Sequence, residues 1–209
     1  MSPFLTSTVE RIGASSHFQS TNLFPTLSVQ DNVILTQLLQ GYDRDKSIEN
    51  SKQIFEKIYP EIIDPNNNIL PKKITEISGG QRQRVAFTRA IASDFTVLFA
   101  DEPTGNLDCG TSEMLMELLI SQIKEKRKTA VVVSHDITLA VKYADKIVLI
   151  KKYEVEEKSG KFFQGRIDTE MTYLKGKTDD WVSLKGKILT DDDMKVYLRH
   201  SLIEQAKLS

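Results

Sequence analysis

The sequence predicts an α/β fold that is built around a parallel β-sheet and joined to a small helical region. Three short apolar segments, TVLFADEP, TAVVVSHD and KIVLI, alternate with helical patterns over residues 96–150. Strands that are apolar along their whole length are typical of a parallel sheet whose two faces are both covered by helices. A separate run of helical periodicity between residues 27 and 63 predicts the helical region.

The helical region is predicted to contain two helices and a loop. Ser28 is a candidate N-cap for the first helix, with an acidic residue, Asp31, three positions further on. Apolar residues recur at helical spacing after Ser28 and again after Ser47. The segment DPNNNILP over residues 64–71 predicts a loop, since proline and asparagine favour turns. The helical subdomain is therefore assigned to about residues 27–75.

The sheet region follows the helical subdomain. One helix is predicted to open after the Gly-Gly pair, a second to span about residues 111–126, and a short third one to precede KIVLI. After KIVLI the sequence becomes charged and glycine-punctuated, which predicts a β-hairpin and then a short helix near residues 191–205. We therefore predict one domain over residues 1–150 and a C-terminal extension of unknown role over residues 151–209.

Composition restricts the classes of partner. The 209 residues contain 28 Lys+Arg and 29 Asp+Glu, a formal net charge of -1, which gives no general attraction to nucleic acid or to an anionic membrane. A single cysteine, Cys109, excludes an internal disulfide. The first residues do not form a signal peptide pattern, and no apolar run approaches the ~18 residues of a membrane span. If the protein acts at a membrane, we expect another chain to supply the membrane-spanning part.

Polar residues follow two of the predicted strands at their carboxyl ends, where ligands of parallel sheets bind. One strand ends in Asp101 and Glu102, and the next ends in Ser134, His135 and Asp136. A carboxylate pair after a strand suits phosphoryl chemistry, because Asp101 would help hold Mg²⁺ while Glu102 orients or deprotonates a water. His135 could then contact a phosphate or that water. Taken by itself, an Asp-Glu pair is more often a cap at a solvated strand end than a catalytic pair.

The segment Ser78-Gly79-Gly80-Gln81 opens a predicted helix. Two glycines allow backbone N–H groups to approach an anion closely, and the positive end of the helix dipole lies at the same place. The Ser78 hydroxyl adds a further donor. Alone, the segment is equally consistent with an ordinary serine N-cap followed by a glycine-rich turn.

Taken together, the segments ISGGQRQRVAFTRAI, VLFADEPTGNLD and VVVSHD resemble the ABC-type ATPase family in their order and spacing. Ile77 to Gln81 resembles the signature motif, Val97 to Glu102 the Walker B strand, and Gly105 to Asp108 the D-loop. His135 lies at the position of the switch histidine, and Gln19, within HFQSTNLFPTLSVQDNV, lies at that of the Q-loop. The GNLD form is similar to the lipoprotein-release and macrolide-export branch.

The resemblance implies roles in catalysis and metal binding, with ATP and Mg²⁺ as the cofactors. Glu102 would be the general base or the water-orienting carboxylate. His135 would contact the γ-phosphate. Asp101 and Gln19 would hold Mg²⁺, in part through water, and both would belong to the nucleotide-binding set. The fold implied for residues 1–150 is that of a partial ABC-type nucleotide-binding domain, which is P-loop NTPase-like, has a parallel-sheet core with a small helical subdomain, and is incomplete at its N-terminus.

The resemblance also implies partners. Family members close head-to-tail around two ATP molecules, so the signature segment would contact ATP held by the opposite subunit, and Asp108 would lie at the dimer interface. The second ATPase subunit could be an identical or a different chain, and a transmembrane permease would be the transport partner. We expect location on the cytoplasmic face of the cell membrane and no nucleic-acid partner. The signature residues that would contact nucleotide are Ser78, Gly79, Gly80 and Gln81.

The family's Walker A loop, G-x-x-x-x-G-K-[ST], is expected ahead of Gln19, but only Gly13 precedes that residue. Two later segments approach the pattern. Gly160 to Ile167 has Arg and Ile in place of Lys and Ser/Thr, and Met171 to Thr178 lacks the first glycine. Both follow the Walker B strand, and we interpret them as surface turns. We expect a chain that is N-terminally incomplete and inactive as an ATPase by itself, because the Walker A loop cradles the phosphates.

The sequence leaves three functional hypotheses. The first is the ATP-hydrolysing subunit of an ABC transporter, here without its Walker A loop. The second is a catalytically inactive half-site subunit that supplies the signature segment to a complete partner; the presence of Glu102 and His135 favours the first hypothesis over it. The third, an ABC-type ATPase that acts on DNA or in translation, is disfavoured by the short helical region between Gln19 and Ser78.

Overall fold

The computed structural model describes residues 15–16, 22–59, 68–105, 107–157 and 160–206. The chain divides into two compact units, residues 1–135 and residues 136–209. We describe each unit by itself. The sequence-predicted domain boundary at 150/151 instead falls within a strand of the second unit.

A parallel sheet forms the centre of the first unit, which confirms the predicted α/β fold with a parallel sheet. Its strands are β1 (Ser15–Ser16), β2 (Val97–Asp101) and β3 (Thr129–Val133), in the order β1-β2-β3. Both pairings are parallel, and Asp101 pairs with Val133 at the carboxyl end. Strand β1 has no signal in the sequence, because two serines have no strand periodicity.

One expectation about this sheet is wrong: its strands are not buried on both faces within the described residues. Leu98 and Ala100 of β2 are buried, whereas Phe99, which lies between them, is 38% exposed. On the neighbouring strand β3, Val131 and Val133 are 45% and 52% exposed. Strand side chains alternate between two faces. A continuous apolar run therefore places apolar groups on both faces, whether or not both faces are covered.

Three helices of the first unit pack together, and the third of them begins with the signature segment. Helix α1 (Val29–Leu39) begins after Ser28, as predicted, and α2 (Arg44–Ile58) begins after an Asp43 cap, earlier than the sequence indicated. Both pack against α3 (Gly79–Ala92). The loop predicted at 64–71 lies partly outside the described residues.

Helix α4 (Cys109–Lys126) completes the first unit and connects β2 to β3. Its core side chains and those of α1–α3 are almost wholly buried. At about 1.5–3 kcal/mol for each large apolar side chain, this burial is the main stabilising term of the unit. These core residues include Val33, Ile34, Phe55, Ile58, Phe87, Ile91, Leu115 and Leu119.

The second unit contains an antiparallel sheet and two helices. Its strands are β4 (Lys146–Glu157), β5 (Gly160–Lys175), β6 (Trp181–Ser183) and β7 (Ile188–Leu189), in the order β4-β5-β6-β7. Helix α5 (Ile137–Tyr143) precedes them. The hairpin and the helix predicted after residue 151 are present, the helix as α6 (Asp191–Ala206).

The segment KIVLI is a strand, as predicted, but it does not join the parallel sheet. It forms the start of β4 and pairs antiparallel with β5, for example Ile147 with Tyr173. Five apolar residues contain no information on pairing direction, and the hairpin supplies a partner close in sequence. The buried face of this sheet includes Ile147, Tyr173 and Trp181 and packs against Met194 and Leu198 of α6.

Candidate functional site

The site is built at the carboxyl end of β2. Asp101 is the last residue of that strand and Glu102 follows it directly. The backbone N–H of Glu102 donates to the Val133 carbonyl at 2.8 Å, which extends the ladder by one residue. Glu102 has a φ of 47°, a left-handed conformation that is uncommon for a residue other than glycine and costs on the order of 1–3 kcal/mol. The chain therefore turns sharply at the proposed catalytic carboxylate.

The Glu102 carboxylate meets the end of the neighbouring strand. Its Oε1 accepts from the His135 backbone N–H at 3.0 Å and lies 2.8 Å from His135 Nδ1, while Ser134 Oγ lies 3.4 Å from Oε2. A carboxylate only accepts, so the ring contact requires a hydrogen on Nδ1. The structure thus brings together the two polar strand ends that the sequence predicted to be adjacent.

The arrangement suits proton and phosphate chemistry in water. Glu102 is partly exposed and His135 is largely exposed, so a water molecule and an anionic ligand can both reach them. The contact is solvated, and His135 carries a charge only when it is protonated, so the contribution to stability is modest, ~0–1 kcal/mol. Its main effect is geometric, because three donors from residues 134 and 135 fix the direction of one carboxylate.

Mg²⁺ is the metal that the family implies, and the residues present fit it. Asp101 and Glu102 are consecutive residues, and they place two carboxylates at an exposed strand end. Mg²⁺ prefers such hard oxygen ligands and keeps several waters, so it is held by one or two carboxylates together with phosphate oxygens. No cluster of three or more acidic, His or Cys ligands occurs in the part of the chain that the structure describes. Gln19, the other expected Mg²⁺ ligand, lies outside the described residues.

The signature segment forms the first turn of α3. Ser78 is the N-cap: its hydroxyl accepts from the Gln81 N–H at 3.2 Å, and its own N–H donates to Gln81 Oε1 at 2.9 Å. This capping box satisfies two of the unpaired donors at the helix start. A Cβ on Gly79 would meet no atom within 4 Å, so the surface above this turn is open. Ser78, Gly79, Gly80 and Gln81 thus present a helix N-terminus suited to an anion.

Sequence reasoning missed Tyr59, which supports the signature segment. The Gln81 side-chain amide donates to the Tyr59 hydroxyl at 2.9 Å, and the Arg84 guanidinium lies 4.4 Å from the centre of the Tyr59 ring. Tyr59 follows the last residue of α2 and is buried. No signal in the sequence pointed to it, because the contact joins residues 22 positions apart.

Asp108 is the N-cap of α4. Its carboxylate accepts from the Thr111 N–H at 2.9 Å and from the Thr111 hydroxyl at 2.6 Å. Hydrogen bonds from Thr111 lower the pKa of Asp108 below its ordinary value. The structure therefore gives Asp108 a capping function, and its place at a dimer interface stays a prediction.

The two segments that approach the Walker A pattern have no phosphate-loop geometry. Gly160 to Ile167 lies within β5, so its interpretation as a surface turn is wrong. Gly176, in the second segment, does begin a turn, and its N–H donates to the Asp180 carbonyl at 2.7 Å. Neither segment leads into a helix at the glycine-lysine position, which a phosphate loop requires.

Comparison with known proteins shows what the chain is similar to. The ABC transporter family profile matches residues 5–105, a range that includes the signature segment and the Asp101-Glu102 strand end. A solved structure titled as the dimeric post-hydrolysis state of the ATP-binding cassette MJ0796 bound to ADP and Pi superimposes with a TM-score of 0.58 at 31% identity, over 71% of this chain and 62% of that one. The family profile and the structural neighbour support an ABC-type ATPase subunit.

The relatives indicate the branch. The chain is 37% identical over 139 residues to the uncharacterized ABC transporter ATP-binding protein MJ0796 of Methanocaldococcus jannaschii, covering 66% of this chain and 58% of the relative. It is 35% identical over 132 residues to the lipoprotein-releasing system ATP-binding protein LolD 2 of Rhodopseudomonas palustris, covering 63% and 54%. The chain is thus similar to the lipoprotein-release branch, and it spans less than two thirds of the length of either relative.

Proposed function

We propose that this protein is the ATP-binding and ATP-hydrolysing subunit of an ABC transporter. The observation that supports this most directly is the Glu102 carboxylate, which follows Asp101 at the end of β2 and lies 2.8 Å from His135 Nδ1. Such an arrangement fits a carboxylate that orients water for attack on a phosphate. In this proposal Glu102 acts as the base, and His135 positions Glu102 and contacts the γ-phosphate.

Metal and nucleotide are assigned to the remaining residues. Asp101 holds Mg²⁺, with Gln19 as a further ligand, in part through water. Mg²⁺ supplies neutralisation of phosphate charge when bound. The signature segment, with its capped and exposed helix N-terminus, offers N–H donors to the γ-phosphate of ATP on the opposite subunit. Asp108 lies at the interface between the two subunits.

A second ATPase subunit and a transmembrane permease are the proposed partners. A related structure is titled as dimeric, which supports a pair of subunits, identical or different. The relatives are named as transporter ATP-binding proteins, which supports a permease partner and a position on the cytoplasmic face of the membrane. Within the described residues no helix has the length and apolar character that crossing a bilayer requires.

A second candidate function is a half-site subunit that lends its signature segment to a complete partner. The observation in its favour is that this segment is fully formed and exposed at the start of α3. In that function the contact between Ser78 and ATP matters, whereas hydrolysis by Glu102 does not.

The test is hydrolysis of Mg-ATP by the 209-residue chain, alone and mixed with a complete ABC ATPase subunit of the lipoprotein-release branch. In whichever sample hydrolyses ATP, we expect Glu102→Gln to lower kcat by about 10²-fold or more, since a positioned general base contributes on that scale. Glu125→Gln, an exposed carboxylate on α4, is the matched control and should have no effect. Hydrolysis that appears only in the mixture and is lost in Ser78→Arg, but not in Glu102→Gln, would favour the half-site function. No effect of either variant contradicts both.

A further inference from the structure

We propose that Gln83 is a positioning residue for Glu102. Its side-chain amide holds the backbone turn from which the Glu102 carboxylate projects, and it thereby joins that carboxylate to the helix that begins with the signature segment. The role of Glu102 in hydrolysis rests on the proposed function; the support that Gln83 gives to it rests on geometry alone.

The contact is direct and buried. Gln83 lies in the second turn of α3, and only 3% of it is exposed. Its Nε2 donates to the Glu102 carbonyl at 3.0 Å and to the Pro103 carbonyl at 2.6 Å. A side-chain amide has two N–H groups, so one glutamine can serve two consecutive carbonyls. The partners are 19 and 20 positions away in sequence, so this contact exists only in the folded chain.

The turn at Glu102 explains why such a donor is needed. The Glu102 N–H still donates within the sheet ladder. The φ of 47° at Glu102 then turns the following carbonyl groups away from that ladder. Among the described residues, the Glu102 carbonyl receives one backbone donor, Gly105 N–H, at a long 3.3 Å. Carbonyl groups without partners in a buried place are unfavourable. Gln83 provides the donors that make the unusual backbone conformation stable.

Glu102 is consequently held at both ends. His135 and Ser134 contact its carboxylate, and Gln83 contacts its backbone. Fixing the backbone fixes where the side chain starts, and a displacement of about 1 Å at a reacting group is enough to lower a rate by about 10²-fold. Because Gln83 and Gln81 lie on the same helix, a movement of the signature segment would also move the turn at Glu102.

The test compares Gln83→Met with Gln37→Met in the 209-residue chain. Methionine keeps the side-chain length and removes the donors. Gln37 is an equally buried glutamine, 3% exposed, whose Nε2 donates to Ser51 Oγ at 2.7 Å on a different pair of helices. Each variant loses at least two hydrogen bonds of a buried side chain, since Gln37 Oε1 also accepts from Asn50 Nδ2 at 2.8 Å. Both variants should therefore lower Tm by a similar amount, about 2–4 °C or more. Stability alone therefore does not distinguish a positioning role from a structural one.

The distinguishing measurement is the ¹H–¹⁵N spectrum of His135, whose backbone N–H and ring Nδ1–H both meet Glu102 Oε1. Glu102→Gln sets the size of the change when that contact is altered. We expect Gln83→Met to shift both His135 signals in the direction in which Glu102→Gln shifts them. We expect Gln37→Met to leave both signals unchanged. In any mixture that shows turnover, Gln83→Met should lower kcat by about 10-fold to 10²-fold with the KM for ATP unchanged.

Unchanged His135 signals in Gln83→Met, or in Glu102→Gln, overturn the proposal. If Gln83→Met does not fold, Gln83→Asn with Gln37→Asn as its control gives the same comparison, because the shorter amide cannot reach both carbonyls. Shifted His135 signals together with a Glu102→Gln variant that keeps full turnover would leave the positioning role standing and refute the proposed function of Glu102.

Discussion

Tyr59 shows how a single side chain can connect the helical region to the signature segment. Its hydroxyl accepts from Gln81, its ring lies under the Arg84 guanidinium, and Phe55 packs beside it at a centroid distance of 5.9 Å. The aromatic contacts depend on the ring and the hydrogen bond depends on the hydroxyl. Removing the hydroxyl therefore isolates the contact with Gln81.

We predict that Tyr59→Phe lowers the free energy of unfolding by about 1 kcal/mol, because it removes one partly buried hydrogen bond and leaves the Gln81 amide without that acceptor. Urea denaturation of the purified chain measures the change. Tyr42→Phe is the control, since Tyr42 is about half exposed. Equal losses in the two variants would show that the Tyr59 hydroxyl adds nothing to the fold.

At the scale of the element, the start of α1 is an electrostatic arrangement. The Asp31 N–H donates to Ser28 Oγ at 3.0 Å, and the Asp31 carboxylate accepts from the Ser28 hydroxyl at 2.7 Å and from Arg44 at 2.8 Å. The Ser28 hydrogen bond, and then Arg44, lower the pKa of Asp31 below its ordinary value of 3.8. The ionised carboxylate thus stabilises the folded chain more than the unfolded one.

We predict a pH-dependent effect of Asp31→Asn on stability. A lowered pKa in the folded state contributes stability above pH 3.8, and this contribution is lost as the pH falls through the folded-state pKa. The variant should therefore be less stable than the wild type at pH 7, by less than about 1 kcal/mol because the pair is partly solvated. The difference should vanish in strong acid, as measured by urea denaturation across pH.

Asp45→Asn is the matched control for that experiment. Asp45 also lies in the first turn of a helix, so it shares any interaction with the helix dipole. It differs in that, among the described residues, Ser28 and Arg44 donate hydrogen bonds to the Asp31 carboxylate and neither donates to that of Asp45. A pH-independent difference for Asp31→Asn, or the same pH profile for both variants, would contradict the assignment.

At the scale of the whole molecule, the second unit has a core of its own. Trp181 is fully buried among Tyr173, Met194 and Leu198, and its indole N–H donates to Asp191 Oδ1 at 2.7 Å. One tryptophan thus packs the sheet against α6 and satisfies its polar group at the start of that helix. The stability of residues 136–206 should depend strongly on this side chain.

We predict that Trp181→Ala destabilises the second unit by about 3–5 kcal/mol, because it leaves a cavity and removes a hydrogen bond. Hydrogen exchange, analysed separately for β2–β3 and for β4–α6, should show faster exchange in the second set of amides. Leu115→Ala, in the core of the first unit, is the control and should accelerate exchange in β2–β3 instead. Undiminished protection of β4 and α6 in Trp181→Ala would contradict the prediction.

The sequence by itself determined the order of the elements and the chemistry at the strand ends. Parallel strands end at one edge of a sheet, so Asp101-Glu102 and Ser134-His135 had to meet once the two apolar segments were neighbours. Ser28 and Ser78 indicated where their helices begin, because capping depends on residues only three positions apart. These features follow from local periodicity and from residue types, which a sequence displays directly.

Only the tertiary structure decided the features that depend on distant residues. KIVLI pairs with β5 in an antiparallel hairpin, and apolar letters alone do not specify a partner or a direction. The left-handed backbone of Glu102 and the contacts of Gln83 and Tyr59 bring together residues about 20 positions apart. Their energies come from satisfying buried polar groups at places that the folded chain creates, so no local pattern in the sequence encodes them.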